Sequence, residues 1–230
     1  MSKIRITEDG SHTLFSEMAG QTYHSSHGAV QESRHIFISQ LPIKSGQLVD
    51  GDVLSVLEIG FGTGLNALLT ACWAKENGVR VEFSTIELYP LERSVYCELN
   101  YGGLFGCEEL FLRLHEAEWD AGLQPVIAEF AINKNKRDIV EWLDSRQSTV
   151  NSQQLGLYDV VFFDAFSPEA QPELWTEDVF RDVYGLMKEG GVLTTYCAKG
   201  DVRRAMLAAG FRVEKLQGPP GKRHILRAVK

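Results

Sequence analysis

Aliphatic residues run almost unbroken through Val53-Leu54-Ser55-Val56-Leu57-Glu58-Ile59. So short a run, closed by glycine, predicts a strand buried on both faces of a parallel sheet. The period then changes. After Gly60-Phe61-Gly62-Thr63-Gly64, apolar residues recur at Leu65, Leu68, Leu69 and Cys72, which predicts a helix. Further strands are predicted at 79–86, 126–132, 157–164 and 192–197, with a short one at 13–15. Helices are predicted from Tyr89 to about Leu99 with Pro90 in the first turn, over Glu108–Trp119, and from Asp138 to about Leu143. Two more follow, from Thr176 through Leu186 with Gly190-Gly191 as the stop, and over Val202–Ala209. Ala29 begins a helix or turn carrying Glu32, and Ser145–Gln154 reads as a polar loop. Phe211–Leu216 and His224–Val229 form a closing pair of strands. Strands alternating with helices predict an α/β, doubly wound and mostly parallel sheet with an antiparallel edge. Residues 1–50 form an extension covering the site, and 51–230 form the main domain.

The first strand and its glycine turn predict a nucleotide-type site. Glycines let backbone pass close to a ligand, and the helix behind them offers unpaired N–H groups. The spacing is Glu58, Gly60, Gly62, Gly64 rather than the dinucleotide pattern, and the acid disfavours a pyrophosphate. A ligand with a cationic end suits it better. Glu87, at the tip of the second strand, stands where a pair of ribose hydroxyls is bound in this topology. Asn135 or Asp138, after the third strand, is a candidate to hydrogen-bond the base of such a ligand, with nothing in the spacing to choose between them, and Lys134, Lys136 and Arg137 read as plain surface as readily as anything else. Asp164, on the strand across the switch point, lies beside the transferable group. A protonated alkylamine has a pKa of about 10, so a carboxylate there can orient the amine and take its proton. Phe166, Pro168 and Trp175 can stack on a flat acceptor, or the aromatics can belong to the core.

Composition narrows the setting. The chain has 230 residues, enough for one full α/β domain. It has no apolar run long enough for a membrane span and no signal-peptide core, so a cytoplasmic location is expected. Its four cysteines show no C-x-x-C pairing, and Cys72 and Cys197 read as core thiols. His24, His27 and His35 invite a metal, but no cysteine or carboxylate stands at a zinc spacing; a flap over the ligand is the better reading, and no metal is expected. The net charge of −8 is not that of a non-specific nucleic-acid binder, yet the tail beyond Lys199 is basic. Lys222 and Arg223 there can meet a phosphate backbone or simply face solvent.

YHSSHGAVQESRHIF at Tyr23–Phe37, EIGFGTGLN at Glu58–Asn66, DAFSPEAQPELW at Asp164–Trp175 and the tail GPPGKRHILRA together resemble the methyltransferase domain of the MnmC family. The resemblance covers nearly the whole chain. It implies a Rossmann-like class I fold and S-adenosyl-L-methionine as cofactor. It implies methyl transfer to the exocyclic amine of 5-aminomethyl-2-thiouridine at the wobble position of the tRNA anticodon region. Gly60, Gly62, Gly64, Asn66 and Glu87 would hold the cofactor, Tyr23, Gly28 and Glu32 would cover it, and Asp164 would face the acceptor amine. The family's usual Gly-Asp step is not evident at Lys134-Asn135. A second, flavin-dependent domain is not expected within 230 residues, so the aminomethyl substrate would come from other wobble-uridine enzymes. The competing readings are an aminopropyltransferase of the spermidine synthase type and a non-catalytic, cofactor-binding RNA module.

Overall fold

The computed structural model describes residues 3–42, 53–148 and 157–230. The chain opens with three antiparallel strands, β1 (Lys3–Ile6), β2 (His12–Ser16) and β3 (Gln21–Thr22), in a small sheet of their own. Helix α1 (Ala29–Ile36) follows. Then come β4 (Val53–Ile59), α2 (Leu65–Asn77), β5 (Arg80–Ile86), and the helices α3 (Arg93–Tyr96), α4 (Tyr101–Phe105) and α5 (Glu108–Glu116). A hairpin, β6 (Leu123–Ile127) and β7 (Phe130–Asn135), leads to α6 (Ile139–Ser148). The chain ends with β8 (Tyr158–Phe163), α7 (Glu177–Leu186), β9 (Met187–Thr195), α8 (Gly200–Ala208), β10 (Arg212–Gln217) and β11 (His224–Val229).

Eight of these strands make one sheet in the order β10-β11-β9-β8-β4-β5-β7-β6. The five central strands are parallel, and β6, β11 and β10 add antiparallel edges. The chain builds outward from β4 through β5 to β7, then returns to place β8 against the other side of β4. That reversal opens a crevice at the carboxyl ends of β4 and β8. Alternation along β4 fills both faces. Leu54 and Val56 enter the core on one face, and Leu57 and Ile59 enter it on the other. The N-terminal segment shares the first of these cores through Leu14, Ala29, Ile36 and Phe37. Thr194 Oγ1 on β9 donates to the Ile36 carbonyl at 2.8 Å. No helix among the described residues is long and apolar enough to cross a membrane.

Several elements differ from the sequence expectation. Val126–Ile132 is not one strand: β6 and β7 meet there as an antiparallel pair, with a register shift between Pro125 and Ile127. Pro125 is tolerated because β6 is the outer edge, where a missing donor breaks no central ladder. Pro90 does not open a helix, and α3 starts only at Arg93. Thr176 caps α7 as expected, its side chain accepting from the Val179 N–H, but the helix ends at Leu186 and Met187 already begins β9, ahead of the glycine pair. Gly190, at φ +76°, instead lies inside β9. Only residues 145–148 of the expected polar loop are described before 149–154, and they finish α6.

Lys134 is the clearest departure, since it is fully buried on β7. Its ammonium donates to the carbonyls of Leu114, His115 and Ala117 at 3.1, 2.7 and 2.8 Å. These are carbonyls left open where α5 ends. The same nitrogen sits 4.4 Å from the Trp119 ring centroid and 5.2 Å from that of Phe61. Burial pushes it down to about 8. Lys134→Met keeps the aliphatic length and orphans three carbonyls, so it should destabilise the fold by about 3 kcal/mol. Urea unfolding would show this as a lower midpoint at unchanged slope; an unchanged midpoint would deny Lys134 its structural role.

Candidate active site

The crevice is a cavity of about 240 Å³. The glycine turn forms its floor. Gly60, at φ +92°, passes so close to the next strand that a Cβ there would lie 2.9 Å from the Asp164 carbonyl oxygen. Its N–H donates to the Ile86 carbonyl, and the Asp164 N–H donates to that of Ile59. At Gly62, φ is +50°, and a Cβ would come within 3.0 Å of the Tyr23 ring. The turn is therefore narrow on the strand side and roofed by Tyr23 on the other. Tyr23 in turn meets Phe166 edge to face, with centroids 4.9 Å apart.

Two histidines hold the turn by one residue. His24 Nε2 lies 2.7 Å from Thr63 Oγ1, and His115 Nε2 donates to the Thr63 carbonyl at 3.2 Å. Burial pushes His24 down to about 4, and burial with the Lys134 charge pushes His115 down to about 3. Both are neutral in the fold and titrate near 6.5 when unfolded. Their contribution is present above pH 6.5 and is lost as pH falls from there toward the folded values. The stability difference between the wild type and His115→Asn should therefore shrink by about 2 kcal/mol between pH 7 and pH 5. Denaturation of both proteins across that range checks it, and a constant difference would mean His115 is charged in the fold.

The carboxylates occupy distinct places. Glu87 accepts from the Gly62 N–H at 3.0 Å and the Tyr89 N–H at 2.9 Å, one on each oxygen. Burial raises its pKa, opposed by those backbone donors. Its remaining lone pairs face the cavity, where a diol can donate to them. Asp164 takes a hydrogen bond from Asn66 Nδ2 at 2.8 Å. Burial, and then the Glu32 charge, hold its pKa well above the carboxylate range, while Asn66 and Lys222 pull the other way. Glu58 is not in the cavity wall. It lies fully buried beneath the floor, takes a hydrogen bond from Thr85 Oγ1 at 2.9 Å, and is raised by burial and by Asp164.

The cavity thus brings together Tyr23, Glu32, Gly60, Gly62, Asn66, Glu87, Asp138, Asp164, Phe166 and Lys222. Gly28, Glu58, Gly64, Pro168 and Arg223 stand outside its wall. Gly28 starts α1, where a Cβ would strike the Asp9 carboxylate, and Gly64 starts α2 against His115. Asp138 caps α6, accepting from the Val140 and Glu141 N–H groups. Asn135 instead donates to the Thr85 carbonyl. Trp175 is core: it is buried against Phe163 and Phe180, and its indole N–H donates to the Phe166 carbonyl. Gln171 accepts from the Phe166 N–H, so the loop after β8 is held by its own side chains. His27 and His35 bond to Glu8 and to the Gln217 carbonyl, and among the described residues no three His, Cys, Asp or Glu side chains gather to hold a metal. The sequence reading missed Tyr196, His115 and Gln171. Tyr196 was read only as part of a strand, yet its hydroxyl donates to the Ala165 carbonyl and its ring lines the cavity.

These residues suit a ligand bearing a diol at one end and positive charge at the other. Asn66 Oδ1 is buried without a hydrogen-bond partner, and a Cβ at Gly62 would press on the Tyr23 ring that roofs the turn. Acids converge on the cavity, and no run of cations is there to meet a pyrophosphate. S-adenosyl-L-methionine, with its ribose, sulfonium and ammonium, fits that donor set.

The comparisons agree. A family model described as S-adenosyl-L-methionine-dependent methyltransferase matches residues 122–230. The Rossmann-like sheet and the cavity at its carboxyl edge are the fold and site that such a methyltransferase uses. The curated relatives to which it is similar are MnmC proteins. It is 30% identical over 232 residues to the tRNA 5-methylaminomethyl-2-thiouridine biosynthesis bifunctional protein MnmC of Aromatoleum aromaticum, covering 98% of this chain and 35% of the relative. The protein of the same name from Aeromonas salmonicida is 31% identical, over 88% of this chain and 32% of its own length. The chain spans about a third of the curated relatives it matches. The crystal structure of MnmC2 from Aquifex aeolicus superposes with a TM-score of 0.78 at 26% identity, over 100% of this chain and 70% of that one.

Proposed function

We propose that this chain transfers a methyl group from S-adenosyl-L-methionine to the exocyclic amine of 5-aminomethyl-2-thiouridine at the wobble position of tRNA. The similarity to MnmC supports the substrate. The observation that carries the chemistry is the place of Asp164, buried in the cavity wall and bonded to Asn66 beside the glycine turn.

The bound cofactor supplies an electrophilic methyl. Glu87 would hold the ribose through its free lone pairs, while the turn at Gly60–Gly62 leaves room for backbone approach. Asp138, which lines the same cavity, would meet the adenine ring. Tyr23 and Phe166 close the mouth and exclude water, which strengthens every charge interaction inside. The acceptor arrives as an ammonium, which has no lone pair. Asp164 takes its proton at a carboxylate oxygen, leaving a neutral amine held in line. Its raised pKa makes it a better base than an ordinary carboxylate, and Asn66 fixes its orientation. Exposed Arg223, the residue before β11 in the β10–β11 loop, would meet tRNA phosphate outside the cavity.

Nucleoside mass spectrometry of tRNA from a strain lacking the gene tests the reading. Accumulated aminomethyl uridine, reversed by the purified chain with cofactor, is expected. Unmodified polyamine metabolism should accompany it; normal tRNA with altered polyamines would favour the aminopropyltransferase. The cavity disfavours that alternative, since Glu32 and Asp164 answer one cationic group and a polyamine brings several. A chain that binds cofactor and tRNA without turnover would instead be the RNA-binding module.

A further inference from the structure

Lys222 reaches into the cavity from the loop between β10 and β11. Its ammonium lies 3.2 Å from Glu32 Oε1 and 4.6 Å from the centroid of the Tyr196 ring. Glu32 is anchored from α1, its other oxygen accepting the Ser25 N–H at 2.8 Å. Glu32 Oε1 is buried and, although within ion-pair reach of Lys222, makes no hydrogen bond of proper geometry. Tyr196 is fixed by its hydroxyl, which donates to Ala165, the neighbour of Asp164. One carboxylate and an aromatic face thus flank one ammonium, a second carboxylate, Asp164, lines the same cavity within reach of its charge, and that ammonium is the protein's own.

We propose that Glu32, Asp164 and the Tyr196 ring form a subsite for a primary alkylammonium, which Lys222 fills until the acceptor's protonated amine displaces it. This rests on the amine-methylating reading above. Two buried carboxylates are costly without a cation between them, so the subsite is stable only when one positive charge is present. Exchanging one ammonium for another conserves that charge. Lys222 can leave because its stem is flexible and its side chain is 28% exposed. Its loop is closed by the Lys222 N–H donating to the Pro219 carbonyl, and α1 is tied to the loop's start by His35 at the Gln217 carbonyl. The backbone therefore stays while the side chain swings. The subsite selects a charged amine over a neutral hydroxymethyl group of the same size, because the neutral group would leave Glu32 unpaired once Lys222 moves.

The test uses ethylammonium as the probe, titrated into the full chain and followed by NMR, with no cofactor or tRNA. Lys222→Met vacates the subsite, and ethylammonium should bind about tenfold more tightly than to the wild type. Adding Glu32→Gln should abolish that gain. If the methionine variant does not fold, Lys222→Gln takes its place. No gain in the Lys222 variant, or a gain that survives Glu32→Gln, would overturn the proposal. Because neither tRNA nor methyl transfer enters the measurement, failure to find wobble-uridine methylation would count against the substrate, and failure of ethylammonium to respond would count against the subsite.

Discussion

Asp164→Asn should lower the rate of methyl transfer by about two to four orders of magnitude while leaving cofactor affinity within a few-fold of the wild type. Asparagine keeps the shape of the side chain and can still meet Asn66, so the cavity wall is preserved. What disappears is the proton acceptor. The loss therefore falls on the chemical step, in single-turnover rates, rather than on binding measured by calorimetry. A second signature follows from the electrostatics. Burial and the Glu32 charge raise the pKa of Asp164. A base must be ionised to act, so in the wild type the rate falls on acidification at a higher pH than an ordinary carboxylate would give. That acidic limb should be missing from the residual activity of the variant. A variant that binds cofactor poorly, or keeps the limb, would remove Asp164 from the role of base.

The place of Asp164 in the cavity wall is legible in the sequence because a strand-end acid across a switch point is a local pattern. The same holds for Gly60, Gly62 and Glu87, whose spacing reports the turn directly. The central strands were equally legible, since burial on both faces leaves continuous apolar runs such as Val53–Ile59. What escaped depends on pairing at a distance. Val126–Ile132 is apolar throughout, so nothing in its period marks the reversal between β6 and β7. Nothing in the sequence predicts burial for Lys134, because a lysine is almost never fully buried. It is buried here because the end of α5 presents three carbonyls and two rings nearby supply π faces, none of which adjoins it in sequence. Lys222 reads like Arg223, as a phosphate contact or a solvated cation, for both sit in one basic tail. Only the packing of α1 against the β10–β11 loop shows that one turns inward to Glu32 while its neighbour faces out. Tyr196 illustrates the same limit: a strand residue acquires chemistry only when the loop after β8 folds back against it.

Gly62→Val should abolish measurable cofactor binding without unfolding the domain, and the reason can be divided experimentally. The residue sits at φ +50°, where a side chain costs about 1–2 kcal/mol and a β-branched one more. Its Cβ would approach Tyr23 Cδ1 to 3.0 Å and Cε1 to 3.3 Å, so the roof must lift. The two methyls beyond would then project into the cavity between Tyr23 and Glu87. The Gly62 N–H that bonds Glu87 would shift with them, loosening the acceptor meant for the ribose. Together these effects should weaken binding by at least about 100-fold, or roughly 2.7 kcal/mol. Gly62→Ala meets the ring and the backbone strain but places no further carbon in the cavity, so it should lose less. Tyr23→Ala in the Gly62→Ala background should recover the part due to the clash, and in the Gly62→Val background it should recover little, because the methyls still fill the ligand's space. Calorimetry on the four variants separates the terms. Equal affinities for Gly62→Val and the wild type would place the cofactor away from the turn, and with it the whole assignment of this cavity.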